Sequence, residues 1–174
     1  NGQGHRLERT VNGTATRFLI EPNGVMPNLL AETNGSNSPL RFYVYGANGL
    51  LSQIDSAGSY RAYHFAPVGH TTAITDANAA TSDTYAYLPY GVAFAGATNT
   101  TANVFRFGGQ LGVQDEGGST YFVRARYFSP VVARFLSVDA LPGMTAVPQS
   151  LNRYSFALAN PLYYSDPSGR LSKE

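Results

Sequence analysis

Residues 41–54 read RFYVYGANGLLSQI, an aromatic run followed by a glycine-rich turn and a second apolar run. Residues 41–45 favour a β-strand, because aromatic and β-branched side chains pack well on a pleated surface. Residues 46–49 are typical of a hairpin turn, and residues 50–54 follow as the partner strand. A lone hairpin cannot bury its aromatic face. The stretch therefore predicts a sheet in which neighbouring hairpins stack side by side.

The same arrangement recurs along the chain. Residues 85–92, YAYLPYGV, again place tyrosines ahead of a glycine turn. Further strands are predicted at residues 16–21, 27–32, 60–65, 71–75, 83–87 and 105–107. Turn residues separate them, so that strands recur about every 8 to 12 residues, which is typical of an all-β protein.

Two segments differ from this pattern. Residues 120–128 form the longest strand candidate; as one strand it would place Tyr121, Val123, Ala125 and Tyr127 on one face and Phe122, Arg124, Arg126 and Phe128 on the other. Residues 150–159 have apolar side chains at helical spacing, with Ser150 as a cap and Pro161 as a stop, and predict one short helix.

Composition excludes several classes of function. Charged residues make up 13% of the 174 residues and the net charge is +1, so the clustered basic face of a nucleic-acid-binding protein is not expected. The chain has no cysteine, and His5, His64 and His70 lack the spacing of metal ligands; we predict no metal and no cofactor. No apolar run reaches the roughly 20 residues that span a bilayer. The opening residues lack a signal-peptide pattern, and we expect a fragment or a processed piece.

The C-terminal third resembles a known family. Residues 121–139, YFVRARYFSPVVARFLSVD, are similar to the RHS-associated core motif, and residues 151–161 and 166–169 are similar to its N-x-Y…N-P…D-P-x-G ending. Residues 60–75 and 105–110 resemble the tyrosine-aspartate (YD) repeats of RHS proteins. The sequence departs from the family at Ser129, where the family has Asp, and at Ala133, where it has Gly.

The resemblance implies an arc of a spiralling antiparallel β-sheet shell. Residues 1–104 would be YD-repeat hairpins, residues 105–171 the core domain, and residues 172–174 the start of a released segment. Expected partners are upstream repeats of the same shell, an enclosed C-terminal toxin or effector, and a secretion apparatus or toxin complex. The protein would be secreted or lie at the bacterial cell surface. The alternatives are a non-catalytic structural or adhesive scaffold and, more weakly, sugar binding by tyrosine rows.

The resemblance also implies a self-cleaving site. Asp139 and Asp166 stand at the family's two acidic positions, Arg126 at that of its functional arginine, and Leu171–Ser172 at the cleaved bond. Two neighbouring carboxylates that share one proton can hydrolyse a peptide, since one activates water while the other polarises the carbonyl. Each residue also has a simpler interpretation: residues 166–169 suit a type I turn, and Arg126 or Arg124 can stack on aromatic rings.

Overall fold

The computed structural model describes residues 5–23 and 26–170. In these ranges the chain forms two antiparallel sheets and only short helical turns, which confirms the all-β prediction. The eight strands of the first sheet are β1 (Glu8–Val11), β2 (Thr14–Glu21), β3 (Asn28–Asn34), β4 (Pro39–Gly46), β5 (Gly49–Asp55), β6 (Tyr60–Phe65), β7 (Thr71–Asp76) and β8 (Thr81–Thr84). The four strands of the second sheet are β9 (Gln114–Asp115), β10 (Tyr121–Val123), β11 (Arg126–Ser129) and β12 (Arg134–Phe135).

The first sheet is a meander in which each strand pairs with the next. One face is buried, and the alternating side chains of successive strands form its core: Phe18, Leu29, Tyr43, Leu50, Tyr63, Ile74 and Tyr85, closed by Phe105. The buried hydroxyls of Tyr43 and Tyr63 donate to Glu32 and Gln53, each at 2.7 Å. Bulges interrupt most strand pairs, and bulges bend a strand and increase its twist.

Three hairpin turns of this sheet are built in the same way. Asn34, Asp55 and Asp76 each end a strand, and each side-chain Oδ1 accepts the backbone N–H groups two and four residues later, at 2.9 to 3.0 Å. The third residue after each has a positive φ: Asn37, Gly58 and Ala79. An Asp or Asn side chain that imitates a backbone turn thus fixes each hairpin.

The predicted strand over residues 120–128 is wrong, because the chain reverses within it. β10 and β11 form a hairpin that pairs Tyr121 with Phe128 and Val123 with Arg126, and Arg124 has φ 45° at the turn. The predicted faces are therefore wrong too. Arg126 shares the buried face with Tyr121, Val123 and Phe128.

The continuous helix predicted over residues 150–159 does not form in this described part of the chain. Two short 3-10 turns, Pro148–Leu151 and Ala157–Ala159, stand there instead. Ala157, Leu158 and Ala159 have positive φ. The bend places the Phe156 ring 4.3 Å from Phe128, so aromatic packing overrides the local helical spacing. Residues 105–107, predicted to be a strand, are also irregular.

Phe105 and Phe107 join the two sheets. Phe105 enters the core of the first sheet, and Phe107 enters the aromatic core of the second. His70 stacks on Phe107 at 4.1 Å between ring centroids, and its Nδ1 accepts the N–H of Gly108 at 3.0 Å. The junction therefore needs a neutral imidazole, and burial lowers the pKa of His70 to about 4.

Stability should depend on pH through His70. Below its ordinary pKa of 6.5 the unfolded chain binds a proton that the folded chain excludes down to about pH 4. The free energy of unfolding should therefore fall on the order of 2 kcal/mol between pH 6.5 and 4 from this group alone. Urea unfolding at several pH values checks this against His70→Phe, whose pH slope should be shallower; equal slopes would contradict it.

Replacing Ala133 with glycine should stabilise the protein. Ala133 has φ 57° in the turn between β11 and β12, a conformation in which Cβ crowds the backbone. Ala133→Gly should raise the free energy of unfolding by about 0.5 to 1 kcal/mol. Ala47→Gly, an exposed turn position without positive φ, is the control and should give no gain. A Tm of Ala133→Gly below that of the parent chain would contradict the claim that the backbone is strained at Ala133.

Candidate active site

The site is centred on Arg126, the first residue of β11. Its side chain points into the core of the second sheet and is 5% exposed. The guanidinium carbon lies 3.5 Å from the ring centroid of Phe135 on β12. A guanidinium buried away from bulk water is costly unless its donors find acceptors within the protein.

Two carboxylates meet at one nitrogen of this guanidinium. Arg126 Nη2 lies 2.7 Å from Oδ2 of Asp139 and 3.4 Å from Oδ2 of Asp166. Nη1 donates to the carbonyl of Arg153 at 2.9 Å, and Nε donates to the carbonyl of Gly169. Burial lowers the pKa of Arg126, and the two carboxylates oppose that shift.

Asp139 lies in the loop after β12 and is 7% exposed. Its Oδ1 accepts the N–H of Leu141 at 2.9 Å, and its own N–H donates to the Arg153 carbonyl at 3.0 Å. The Arg153 side chain donates in return to the Asp139 carbonyl. Arg153 therefore holds the Asp139 backbone from two sides, while its carbonyl also accepts from Arg126.

Asp166 is 2% exposed and occupies the same kind of turn as Asn34, Asp55 and Asp76. Its Oδ1 accepts the N–H of Arg170, four residues later, at 3.2 Å and the hydroxyl of Ser168 at 3.1 Å. Gly169 has φ 68°, and a Cβ there would collide with the Val123 carbonyl. The turn engages Oδ1 and leaves Oδ2 directed at Arg126.

Arg124 fastens this turn to the rest of the molecule. It donates to the carbonyls of Pro167, Leu111 and Pro27, which belong to three separated parts of the chain. The Ala125 N–H also donates to the Ser168 carbonyl at 3.4 Å. The β10–β11 turn therefore supports the Asp166 turn directly.

A cavity of about 40 Å³ lies against the two carboxylates. Arg126, Asp139, Asp166, Arg153 and Arg170 line it. A polar cavity of this size can hold a water molecule, which needs roughly 10 to 15 Å³ and two to four polar partners. The arrangement thus brings together two buried carboxylates, a cation and space for water.

The structure brings together all three residues predicted as catalytic, Asp139, Asp166 and Arg126. Leu171 and Ser172, the predicted cleavage site, lie outside the described residues. Sequence reasoning missed Arg153 and gave Arg124 no part in the site, because both act mainly through backbone carbonyls that no motif marks. Within the described ranges no group of three or more His, Asp or Glu side chains is arranged to hold a metal ion, and no helix has the length and apolar character of a membrane span.

No protein-family model matches the chain. The tRNA3(Ser)-specific nuclease WapA of Bacillus spizizenii and the tRNA nuclease WapA of Bacillus subtilis are each 31% identical to it over 173 residues, 96% of the chain. The chain spans only 7% of the length of these relatives.

Solved toxin-complex structures share the fold. The crystal structure of TcdB2-TccC3 matches 97% of the chain with a TM-score of 0.67 and 19% identity, over 9% of its own length. The Photorhabdus luminescens Tc holotoxin pore, with a mutated TccC3, matches 99% with a TM-score of 0.70 and 19% identity, also over 9%.

Removing the Arg126 cation should destabilise the protein strongly. Arg126→Met leaves two buried carboxylates without their partner, and we expect a loss of about 3 to 5 kcal/mol in the free energy of unfolding. The control is Arg17→Met, which removes an exposed ion pair with Glu8 and should cost less than about 1 kcal/mol. Urea unfolding at pH 7 measures both. Equal losses would mean that the buried contacts of Arg126 with Asp139 and Asp166 stabilise the protein no more than an exposed ion pair does.

Proposed function

The chain belongs to the RHS-repeat proteins. We propose that it is the C-terminal part of an RHS shell and that it cuts itself between Leu171 and Ser172. The observation that carries this proposal is the contact of two buried carboxylates, those of Asp139 and Asp166, with one guanidinium nitrogen. Burying two carboxylates against one cation is costly for a purely structural purpose. A cavity able to hold water lies beside them.

The proposed reaction uses the two carboxyl groups in different protonation states. The ionised one takes a proton from a water molecule in the cavity, and the water oxygen attacks the Leu171 carbonyl carbon. The protonated one donates its hydrogen bond to the carbonyl oxygen as charge develops there. As the C–N bond breaks, the carboxyl group that accepted the proton of the water gives it to the Ser172 nitrogen, and the products are a carboxylic acid at Leu171 and an amine at Ser172.

Arg126 and Arg170 have separate parts in this proposal. Arg126 contacts both carboxylates, so it stabilises the one that is ionised at each stage. Arg170 lines the cavity, and its backbone N–H donates to Asp166. The residue directly before Leu171 is therefore held at the two carboxylates. The short tether between Asp166 and the bond to be cut supports cleavage within one molecule.

Membership of the RHS-repeat proteins supports a wider proposal. We propose that the shell encloses a toxin or effector segment that follows Leu171, and that upstream repeats of the same polypeptide complete the wall. Exposed apolar side chains on the uncovered face of the first sheet, Leu19, Phe42, Val44 and Leu51, are suited to contact an unfolded segment. A secreted or cell-surface location and a partner in a secretion apparatus or toxin complex belong to the same proposal.

A second candidate is a non-catalytic scaffold. Asp166 makes the same turn as three hairpin turns of the first sheet, so its carboxylate already has a structural use. In a scaffold the contacts of Arg126 with Asp139 and Asp166 would only fasten the loops at residues 139 and 166 to β11. The two candidates differ in whether the chain is cut.

Asp139→Asn and Asp166→Asn should each slow self-cleavage at least about a hundredfold, because each removes a group that must accept or donate a proton. Asn34 shows that Asn can hold such a turn, so Asp166→Asn should keep its local fold. Intact mass after fresh expression measures the fraction cut after Leu171. The parent chain should be cut and both variants should stay whole.

The matched control is Asp76→Asn, which makes the same change in a hairpin turn outside the site. It should be cut like the parent. Cleavage after Leu171 that persists in Asp139→Asn would exclude the carboxylate mechanism. A parent chain that stays whole, with its fold intact, would favour the scaffold.

A further inference from the structure

A second, larger cavity of about 270 Å³ lies between the two sheets. Its apolar wall includes Ile20 of β2, Leu29 of β3, Phe105 and Phe122. The proposed mechanism does not use this cavity.

Arg6, Arg124 and Arg170 border the larger cavity, and the side chains of the first two already have partners. Arg6 pairs with Glu116 at 2.8 Å, and Arg124 donates to the carbonyls of Leu111 and Pro27 at 2.7 and 3.3 Å. The wall of the cavity exposes more apolar than polar surface, and an apolar side chain is the occupant that this surface favours.

The end of the described chain runs between the two cavities. Ser168 and Arg170 line the larger one, and Arg170 also lines the smaller one beside the carboxylates. Successive Cα atoms are about 3.8 Å apart, so a chain that continues from Arg170 starts beside both cavities. Leu171 is apolar, whereas Ser172, Lys173 and Glu174 after it are polar or charged.

We propose that the larger cavity binds the side chain of Leu171 and so holds the peptide bond that follows it against Asp139 and Asp166. The purpose of this pocket rests on the proposed self-cleavage, because it fixes the position of the cut. The pocket acts by volume and apolar contact, so it selects a branched or unbranched aliphatic side chain over a small or charged one.

A thiol placed at residue 171 tests the pocket without any cleavage. The chain has no cysteine, so Leu171→Cys in an Asp139→Asn background carries a single thiol. Its reaction with a maleimide should be at least about tenfold slower than that of Ser56→Cys, an exposed turn position, in the same background. In urea, which unfolds the protein, the two thiols should react with the maleimide at the same rate. This control excludes a difference in intrinsic reactivity between the two positions.

Filling the pocket gives a second measurement. Ile20→Trp enlarges a side chain of the apolar wall, and it should raise the labelling rate of Cys at residue 171 towards that of the exposed control. Circular dichroism of the same sample reports whether the sheet is intact. If the thiol at residue 171 reacts as fast as the Ser56→Cys thiol in the folded protein, the larger cavity does not bind the side chain of residue 171.

Cleavage of chains that keep both aspartates separates the pocket from the chemistry. Leu171→Met should be cut at nearly the parent rate, and Leu171→Ala at least about tenfold more slowly, because it leaves the pocket unfilled. Equal rates for Leu, Met and Ala overturn the pocket while leaving self-cleavage standing. If the thiol at residue 171 is protected but the chain with both aspartates is never cut, the proposed self-cleavage is refuted while the binding of residue 171 in the pocket stands.

Discussion

The guanidinium of Arg126 holds four parts of the chain together. It contacts the carboxylates of Asp139 and Asp166 and the carbonyls of Arg153 and Gly169, and Phe135 covers its face. The carboxylates and carbonyls come from loops outside the regular secondary structure, and Phe135 comes from β12. A charge removed from water has to be matched in this way or the fold loses free energy. The geometry of the second sheet and that of the candidate site therefore depend on the same contacts.

The site reuses a local structure that the rest of the molecule employs for turns. Asn34, Asp55 and Asp76 each close a hairpin by accepting two backbone N–H groups, and Asp166 accepts from the backbone of Arg170 in the same position. At Asp166 the difference is burial beside a cation. The turn holds one carboxylate oxygen and leaves the other for Arg126, so the structural and the catalytic interpretations of this residue are compatible.

Sequence patterns predicted the first sheet well because its strands obey local rules: the predicted strand at residues 60–65 coincides with Tyr60–Phe65. They failed where distant packing decides. Residues 120–128 alternate like one strand, yet the chain turns at Arg124 so that Arg126 faces the core. The helical spacing of residues 150–159 gives way to the packing of Phe156. Asp139 and Asp166 were singled out by the family resemblance, since no spacing rule places two loops on one arginine.

The most direct test of the account is a crystal structure of the uncut Asp139→Asn chain that shows residues 170–172. If the two carboxyl groups cut the chain, the Leu171 carbonyl will face the side chains at residues 139 and 166, within hydrogen-bond reach directly or through one water molecule. A peptide bond at residues 171–172 that points away from Asp166, with no water between them, would contradict it.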